Sequence, residues 1–289
     1  MKNFIADFNK LIKLRLTLTV VFSASISFLI GSKVQGDIIW MNWLILTIGG
    51  FLVTACANGF NEIIEKDLDK LMIRTMDRPI PAGRMTTGQA LVLSLFMGLA
   101  GTLILLKLNF LTGILSVFSI FLYAIVYTPM KLKSPIAVFI GAFPGALPPL
   151  IGYFAAFENP VISWIPFILF LIQFVWQFPH FWAIAWVLDD DYKRAGIRLL
   201  PTTKRDKISG LLTLVSTIIL IPVGLMPVIY GFAGYKYALV SLICGLIFCW
   251  QAVKLFVSGD IPSAKKLMYT SFLYLPLSQL ALLFDFIKK

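Results

Sequence analysis

The chain has 289 residues, of which 59% are hydrophobic and 13% are charged, and its formal net charge is +11. A soluble globular domain carries roughly 25% charged residues, so this composition excludes a soluble protein and predicts an integral membrane protein. The positive charge is explained by basic residues that set the membrane topology and interact with anionic lipid, so nucleic acid is not expected as a partner.

Nine apolar segments are long enough to cross a bilayer, which takes about 20 mostly apolar residues. In chain order they cover 16–32, 40–63, 89–106, 110–128, 135–156, 161–187, 209–231, 235–257 and 267–286. Residues 89–128 are too long for one span, and Lys107-Leu108-Asn109 is the only turn signal within them. We therefore predict an all-α, polytopic bundle of nine transmembrane helices forming one domain over residues 1–289.

The basic residues predict the orientation of this bundle. With the N-terminus in the cytoplasm, 20 of the 25 Lys and Arg residues lie inside and five lie outside. This asymmetry is a strong positive-inside signal. The two longest loops, at about 65–88 and 189–208, then lie on the cytoplasmic face.

Acidic residues are concentrated in those two loops and the helix ends that precede them. Nine of the 14 Asp and Glu residues fall within 62–77 and 189–206. Carboxylates at the edge of hydrocarbon repel one another and lose hydration, so they persist where a cation or substrate compensates them. This clustering predicts a divalent-metal site at the membrane surface.

The first acidic cluster has a helical pattern. At 100° per residue, one face carries five oxygen-bearing side chains, those of Asn58, Asn61, Glu62, Glu65 and Asp69, while Asp67 lies off that face. Oxygen ligands suit Mg²⁺, which takes a few carboxylates together with substrate phosphates. Three arginines that would pair with phosphate follow closely: Arg74, Arg78 and Arg84. The combination predicts a diphosphate site, and the alternative is a solvated helix end with acid–base pairs.

The second cluster, Asp189-Asp190-Asp191, follows a helix that carries His180, the only histidine. On a continuous helix, eleven residues place His180 and Asp191 within 20° on one face, with Gln177 one turn before His180. The aromatic residues nearby are typical both of an apolar pocket and of an interfacial belt. The glycines and prolines of 135–156 leave two readings open, a broken helix or close helix packing.

At these residues the chain resembles the UbiA superfamily of intramembrane prenyltransferases, and more narrowly its protoheme farnesyltransferase branch. The superfamily pattern matches Asn61, Glu62, Glu65 and Asp69. The narrower matches are Arg74-Thr75-x-x-Arg78-Pro79-Ile80-Pro81-Ala82-Gly83, Tyr127-Thr128-Pro129, Gly145-Ala146-x-Pro148-Pro149-x-Ile151-Gly152, Trp176-Gln177-x-Pro179-His180-Phe181-Trp182 and Asp190-Asp191-Tyr192-x-x-Ala195-Gly196-Ile197-x-x-Leu200-Pro201. The chain departs from the usual residues of this branch at Leu14 (in Lys13-Leu14-Arg15), Phe178, Asp189 and Arg198. None of these departures removes an expected metal ligand.

The resemblance implies transfer of a farnesyl group from farnesyl diphosphate to a vinyl group of protoheme, with addition of water, to give heme O for heme-copper oxidase assembly. It implies two Mg²⁺ ions, one held by Asn61, Glu65 and Asp69 and one by Asp190 and Asp191, with His180 as a further catalytic residue. The implied substrate-binding residues are Asn58, Arg74, Arg78, Lys131, Lys133, Gln177, Trp182 and Tyr192. Heme B is then a substrate, and the bilayer of a bacterial-type inner membrane is a partner. A heme A synthase or an oxidase assembly factor is a candidate protein partner.

His180 has three open roles on this reading: contact with the heme iron, contact with a propionate, or handling of a proton. Three other functions remain as alternatives. A UbiA-type prenyltransferase for an aromatic quinone precursor would share the metal and the diphosphate and bind no heme. An intramembrane cation transporter would also carry acids, and a heme-binding assembly protein would need no Mg²⁺.

Overall fold

The computed structural model describes residues 2–288, and the chain there is almost entirely helical. The helices are α1 (Lys2–Leu11), α2 (Leu14–Gln35), α3 (Trp40–Asp69), α4 (Thr87–Leu106), α5 (Phe110–Ile120), α6 (Thr128–Met130), α7 (Ala137–Ala155), α8 (Trp164–Val187), α9 (Asp189–Arg194), α10 (Lys207–Ile229), α11 (Tyr235–Ser258) and α12 (Ile261–Phe284). A π-helical segment, Phe121–Tyr127, joins α5 to α6. Extended backbone in the described chain pairs only at an isolated bridge between Ala233 and Phe286.

Nine helices within residues 2–288 are long and apolar enough to span a membrane, which confirms the predicted all-α bundle and its nine segments. The predicted turn at 107–109 separates α4 from α5, and Asn109 caps α5 by accepting a hydrogen bond from the Thr112 amide. The main difference in bounds is α3, which continues to Asp69 rather than ending near residue 63. The acidic residues of the first cluster are therefore held on a rigid helix and not on a loop.

Helix α7 is continuous despite its three internal prolines and is the most buried span, at 78%. Pro149 has no N–H, so the carbonyl oxygen of Gly145 loses its helical partner. The Gln173 amide on α8 donates to that oxygen at 2.7 Å, which satisfies it within the bundle. Gly152 lets α7 approach α2 so closely that a Cβ there would lie 2.0 Å from the Ala24 carbonyl oxygen. Close packing, rather than a broken helix, explains the glycines and prolines.

Helix α8 ends before the second acidic cluster. Leu188 departs from helical geometry, and the aspartates begin the separate short helix α9. The prediction that His180 and Asp191 share one helical face assumed an uninterrupted helix, so it is wrong. Asp191 contacts the loop after α3, whereas His180 is buried inside the bundle against Ser271.

A cavity of about 500 Å³ lies between α2, α3, the π-helical segment, α7, α8 and α12. Its walls are mostly apolar, and the polar residues among them include Asn58, Gln173, Gln177, His180 and Gln279. The end of the bundle that carries loop 70–86 and the segment 188–206 is called the site face below. Asn58 and Tyr127 line the cavity at the end nearer the site face, within one turn of Asn61 and Lys131 respectively.

Candidate active site

The predicted acidic face of α3 is buried against the rest of the bundle. Asn58, Asn61, Glu62, Glu65 and Asp69 are each at most 5% exposed, whereas Asp67 is exposed and pairs with Lys70. The helical spacing therefore predicted correctly which carboxylates turn inward. The alternative, a solvated helix end with acid–base pairs, does not fit these five side chains because they are buried.

Each of three side chains on this face contacts a cation from a different part of the chain. Lys13 donates to the Asn61 amide oxygen. Lys131 lies 2.5 Å from Glu65 Oε1, and Arg78 donates to Asp69 Oδ2 at 2.6 Å. The Asn61 amide nitrogen completes the network by donating to Glu65 Oε2 and to the Thr128 hydroxyl. We call Asn61, Glu65 and Asp69 with these three cations the carboxylate–cation cluster.

Lys13 is the member of this cluster that the sequence did not single out. It joins α1 to α2 in a left-handed conformation, with φ 47° and ψ 56°, which is uncommon for a residue with a side chain. Burial, reinforced by the charge of Arg78, holds the pKa of the Lys13 ammonium well below its usual range. A lysine between a short amphipathic helix and the first span was the available signal, but in sequence it resembles any positive-inside charge.

Loop 70–86 folds back onto the end of α3. The Thr75 hydroxyl donates to the Asp69 carbonyl oxygen at 3.0 Å, and the Ile80 amide donates to Glu62 Oε1 at 3.2 Å. These contacts fix the segment that carries Arg78 above the buried carboxylates. Glu62, which the prediction left without a role of its own, thus anchors this loop.

Helix α1 closes the same face. Asp7 pairs with Arg84 at 2.8 Å, and Lys10 pairs with Asp77 at 2.5 Å. Hydrogen bonds from Lys10 and Arg84 hold the pKa of the Asp77 carboxyl below its usual range. The N-terminal helix is thereby tied to loop 70–86, and Lys13 is placed at Asn61.

The second acidic cluster is engaged with protein groups. Asp191 accepts hydrogen bonds from the amides of Ile73 and Arg74, at 2.8 and 3.3 Å, and so joins α9 to loop 70–86. Asp190 is 69% exposed and contacts Arg205 at 3.1 Å. Asp189, which was not among the predicted ligands, is buried and pairs with Lys193 at 2.7 Å.

The donor set of the first cluster fits Mg²⁺. Among the described residues Asp69 Oδ1 is buried without a hydrogen-bond partner, and Asp69 shares the buried face of α3 with Asn61 and Glu65. Within residues 2–288, no three Asp, Glu, His or Cys side chains are arranged to hold a metal ion by themselves. Since Mg²⁺ commonly completes its shell with substrate phosphates and water, an ion here would need the diphosphate as a ligand.

The two predicted ligands of the second cluster already accept hydrogen bonds from protein groups. Both oxygens of Asp191 accept backbone amides, and Asp190 faces a guanidinium. An ion at Asp190 and Asp191 would share these oxygens with the amides or replace the guanidinium contact. The second ion, at Asp190 and Asp191, stays a prediction.

Some of the other predicted substrate-binding residues line the cavity and others lie on the site face. Gln177 lines the cavity. Arg74 lies on the site face, with its guanidinium 5.9 Å from the centre of the Tyr192 ring. Asn58 lines the cavity, but its amide nitrogen already donates to the Ile12 carbonyl and the Thr17 hydroxyl.

Like Arg74 and Tyr192, two further predicted residues lie outside both the cavity and the carboxylate–cation cluster. Lys133 is exposed in the turn after α6, and the Trp182 ring packs against Phe178 at 5.6 Å. The residues that line the cavity beside His180 are instead Trp176 and Phe181. Sequence spacing alone does not tell a lining aromatic from an outward one on a helix that is apolar all round.

His180 is buried in the cavity wall. Its ring stacks on Trp176 with centroids 4.3 Å apart, and Nδ1 lies 2.7 Å from the Ser271 hydroxyl of α12. Trp176 also donates its indole N–H to the Ser271 carbonyl oxygen. Two contacts to one turn of α12 therefore fix the position of both rings.

Comparison with family models gives a match over residues 20–275, to the UbiA prenyltransferase family. Among curated relatives, a protoheme IX farnesyltransferase of Cytophaga hutchinsonii is 47% identical over 278 residues, which is 96% of each chain. A protoheme IX farnesyltransferase of Christiangramia forsetii is 40% identical over 98% of this chain and 94% of its own.

Solved structures share the fold. A digeranylgeranylglyceryl phosphate synthase structure aligns with a TM-score of 0.81 at 21% identity, over 99% of both chains. A UbiA homolog from Archaeoglobus fulgidus, bound to GPP and Mg²⁺, aligns with a TM-score of 0.68 at 12% identity, over 96% of this chain and 99% of its own. At these identities the likeness concerns the fold alone.

Proposed function

Because this chain belongs to the UbiA prenyltransferase family, we propose that it transfers a farnesyl group from farnesyl diphosphate to a vinyl group of protoheme, with addition of water, giving heme O and diphosphate. Relatives named protoheme IX farnesyltransferase match nearly the whole chain, so the quinone-precursor, transporter and heme-assembly alternatives are not favoured. The protein is a multi-pass membrane enzyme, and we propose that its activity depends on Mg²⁺.

One observation carries this proposal: a cluster suited to diphosphate and Mg²⁺ adjoins the mouth of a mostly apolar cavity. Asn61 and Lys131 belong to the cluster, and Asn58 and Tyr127, one turn from them, line the cavity. The Lys131 ammonium also lies over the Tyr127 ring at 4.8 Å. A substrate with a charged head and a long apolar tail has the shape that this arrangement accepts.

We assign Mg²⁺ to Asn61, Glu65 and Asp69, where it would act as a Lewis acid that neutralises charge on the departing diphosphate. Arg78, Lys131 and Lys13 already stand beside these side chains, so they would pair with phosphate oxygens once the diphosphate arrives. Arg84 is committed to Asp7 and Asp77, and it holds α1 in place rather than the substrate.

The bond changes follow from this arrangement. The C1–O bond of farnesyl diphosphate breaks, and its electron pair leaves with the diphosphate. The vinyl π electrons form the new bond to C1, water adds to the resulting cation on the porphyrin side chain, and the water's proton passes to the diphosphate. The apolar wall limits premature capture of the allylic cation by bulk water, and the Tyr123 and Tyr127 rings at the cavity mouth offer it a favourable π surface.

Orientation and partners remain proposals from the charge pattern and the resemblance. We place the site face and the N-terminus in the cytoplasm of a bacterial-type cell, because 20 of 25 basic residues then lie inside. A heme A synthase or an oxidase assembly factor is the proposed consumer of the product.

The direct test incubates purified protein with protoheme, farnesyl diphosphate and Mg²⁺, and analyses the extracted hemes by mass spectrometry. We expect a heme that has gained a farnesyl group and water, and no such product when EDTA is present. Parallel reactions replace protoheme with 4-hydroxybenzoate as an aromatic acceptor. Prenylation of that acceptor with no modified heme would overturn the proposal in favour of the quinone branch.

A further inference from the structure

The hydrogen bonds around His180 fix which of its nitrogens carries the proton. Ser271 Oγ lies 2.6 Å from the Met268 carbonyl oxygen and 2.7 Å from His180 Nδ1. A carbonyl oxygen carries no hydrogen, and a contact this short therefore requires that the Ser271 hydroxyl donate to it. The serine has no second proton, and His180 must therefore donate from Nδ1–H to Ser271 Oγ.

The other ring nitrogen is then an unprotonated lone pair. Nε2 has no hydrogen-bond partner in the described part of the chain, and the residue lines the cavity. A neutral imidazole with bare Nε2 accepts a hydrogen bond or a metal ion but cannot donate to a carboxylate. In this tautomer His180 cannot donate to an ionised propionate, which disfavours that contact among its three open roles.

Among the described residues, nothing else that lines the cavity offers a comparable ligand. The lining contains no Met or Cys, and its tyrosines, Tyr123 and Tyr127, would have to lose a proton before binding a metal. His180 binds without such a loss, and its stacking on Trp176 holds the ring orientation. A second hydrogen bond that fixes tautomer and ring angle is the usual support of a metal-ligating histidine.

We propose that His180 Nε2 is an axial ligand to the iron of substrate protoheme, and that Ser271 is a positioning residue that keeps this nitrogen deprotonated and directed into the cavity. The proposal rests on the proposed function, since protoheme is the substrate it assigns. Iron ligation would hold the porphyrin while one vinyl group meets the farnesyl carbon.

The test binds protoheme to the purified protein without farnesyl diphosphate and records optical and electron paramagnetic resonance spectra. We expect the wild type to show a histidine-ligated heme, His180→Ala to lose that signature, and added imidazole to restore it. Ser271→Ala should weaken protoheme binding by about 10- to 100-fold, the range for loss of an outer hydrogen bond to a metal ligand, and Ser271→Thr should recover it.

Thr270→Ala is the matched control, because the Thr270 hydroxyl donates within α12, to the Lys266 carbonyl oxygen, and this hydrogen bond is exposed. An unchanged spectrum in His180→Ala would overturn the ligand assignment, and unchanged protoheme binding in Ser271→Ala would overturn the positioning role of Ser271. Failure of the proposed function is separately visible: histidine-ligated protoheme in a protein that never forms heme O would support the ligand assignment and refute the reaction.

Discussion

Gly152→Ala tests the packing that forms two walls of the cavity. At this glycine α7 meets α2, and Ala24 and Ile151 on the two helices both line the cavity. A Cβ at Gly152 would lie 2.0 Å from the Ala24 carbonyl oxygen and 2.7 Å from the Ala24 carbonyl carbon. Both atoms belong to the backbone, so no side-chain rotation relieves the clash.

The size of the effect follows from two opposing terms. Contacts of this kind essentially never fall below 3.0 Å, so the helices must separate by about 1 Å. Overpacking of this sort costs about 1–3 kcal/mol, and a contact to backbone belongs at the upper end. Alanine is more favourable than glycine in a helix by roughly 0.5–1 kcal/mol, which leaves a net destabilisation of about 2 kcal/mol.

The assay is thermal unfolding of the purified protein in detergent, with Gly50→Ala as the control. Gly50 is also inside a spanning helix, but a Cβ there meets nothing within 4 Å, so this variant should be as stable as the wild type or slightly more so. We expect a clearly lower apparent Tm for Gly152→Ala alone. An unchanged Tm for Gly152→Ala would refute the inference that backbone contact at this point sets the cavity walls.

Three further predictions concern the site face. Lys131→Met should raise the KM for farnesyl diphosphate about tenfold, because it removes the cation beside Glu65. The exposed control Lys133→Met should leave this KM unchanged. Equal KM values for the two variants would count against a phosphate-binding role for Lys131. The affinity of the protein for Mg²⁺, measured by calorimetry, should rise when inorganic diphosphate is added, because Arg78 and Lys131 pair with the acidic side chains in its absence. An Mg²⁺ affinity that does not depend on diphosphate would contradict this prediction. Asp191→Ala should speed tryptic cleavage in loop 70–86, because two amide hydrogen bonds are lost, and an unchanged cleavage rate would refute the link.

The fold was largely predictable because hydropathy and helical period act locally. Nine spans and the inward face of α3, including the outward turn of Asp67, follow from spacing alone. The assignment of Mg²⁺ to Asn61, Glu65 and Asp69 likewise uses residues on one helix. That assignment stays a prediction, and the buried, unpartnered Asp69 Oδ1 supports it.

Features that depend on contacts between distant segments were not predictable. The role of Lys13 needs α1 docked on loop 70–86, and the tautomer of His180 depends on Ser271, 91 residues away. The pairing of His180 with Asp191 failed because the interruption at Leu188 carries no proline or glycine signal. Helical spacing is informative only as far as the helix extends.

The central claim is that the buried acids of α3 hold the Mg²⁺ that makes diphosphate leave. The rate of heme O formation in Asp69→Asn against Asp67→Asn tests it most directly. The two carboxylates are two residues apart, but Asp69 is fully buried beside Asn61 and Glu65 while Asp67 is exposed and pairs with Lys70. We expect Asp69→Asn to stay folded and lose turnover, and Asp67→Asn to keep it. Near-normal turnover in Asp69→Asn would contradict the account.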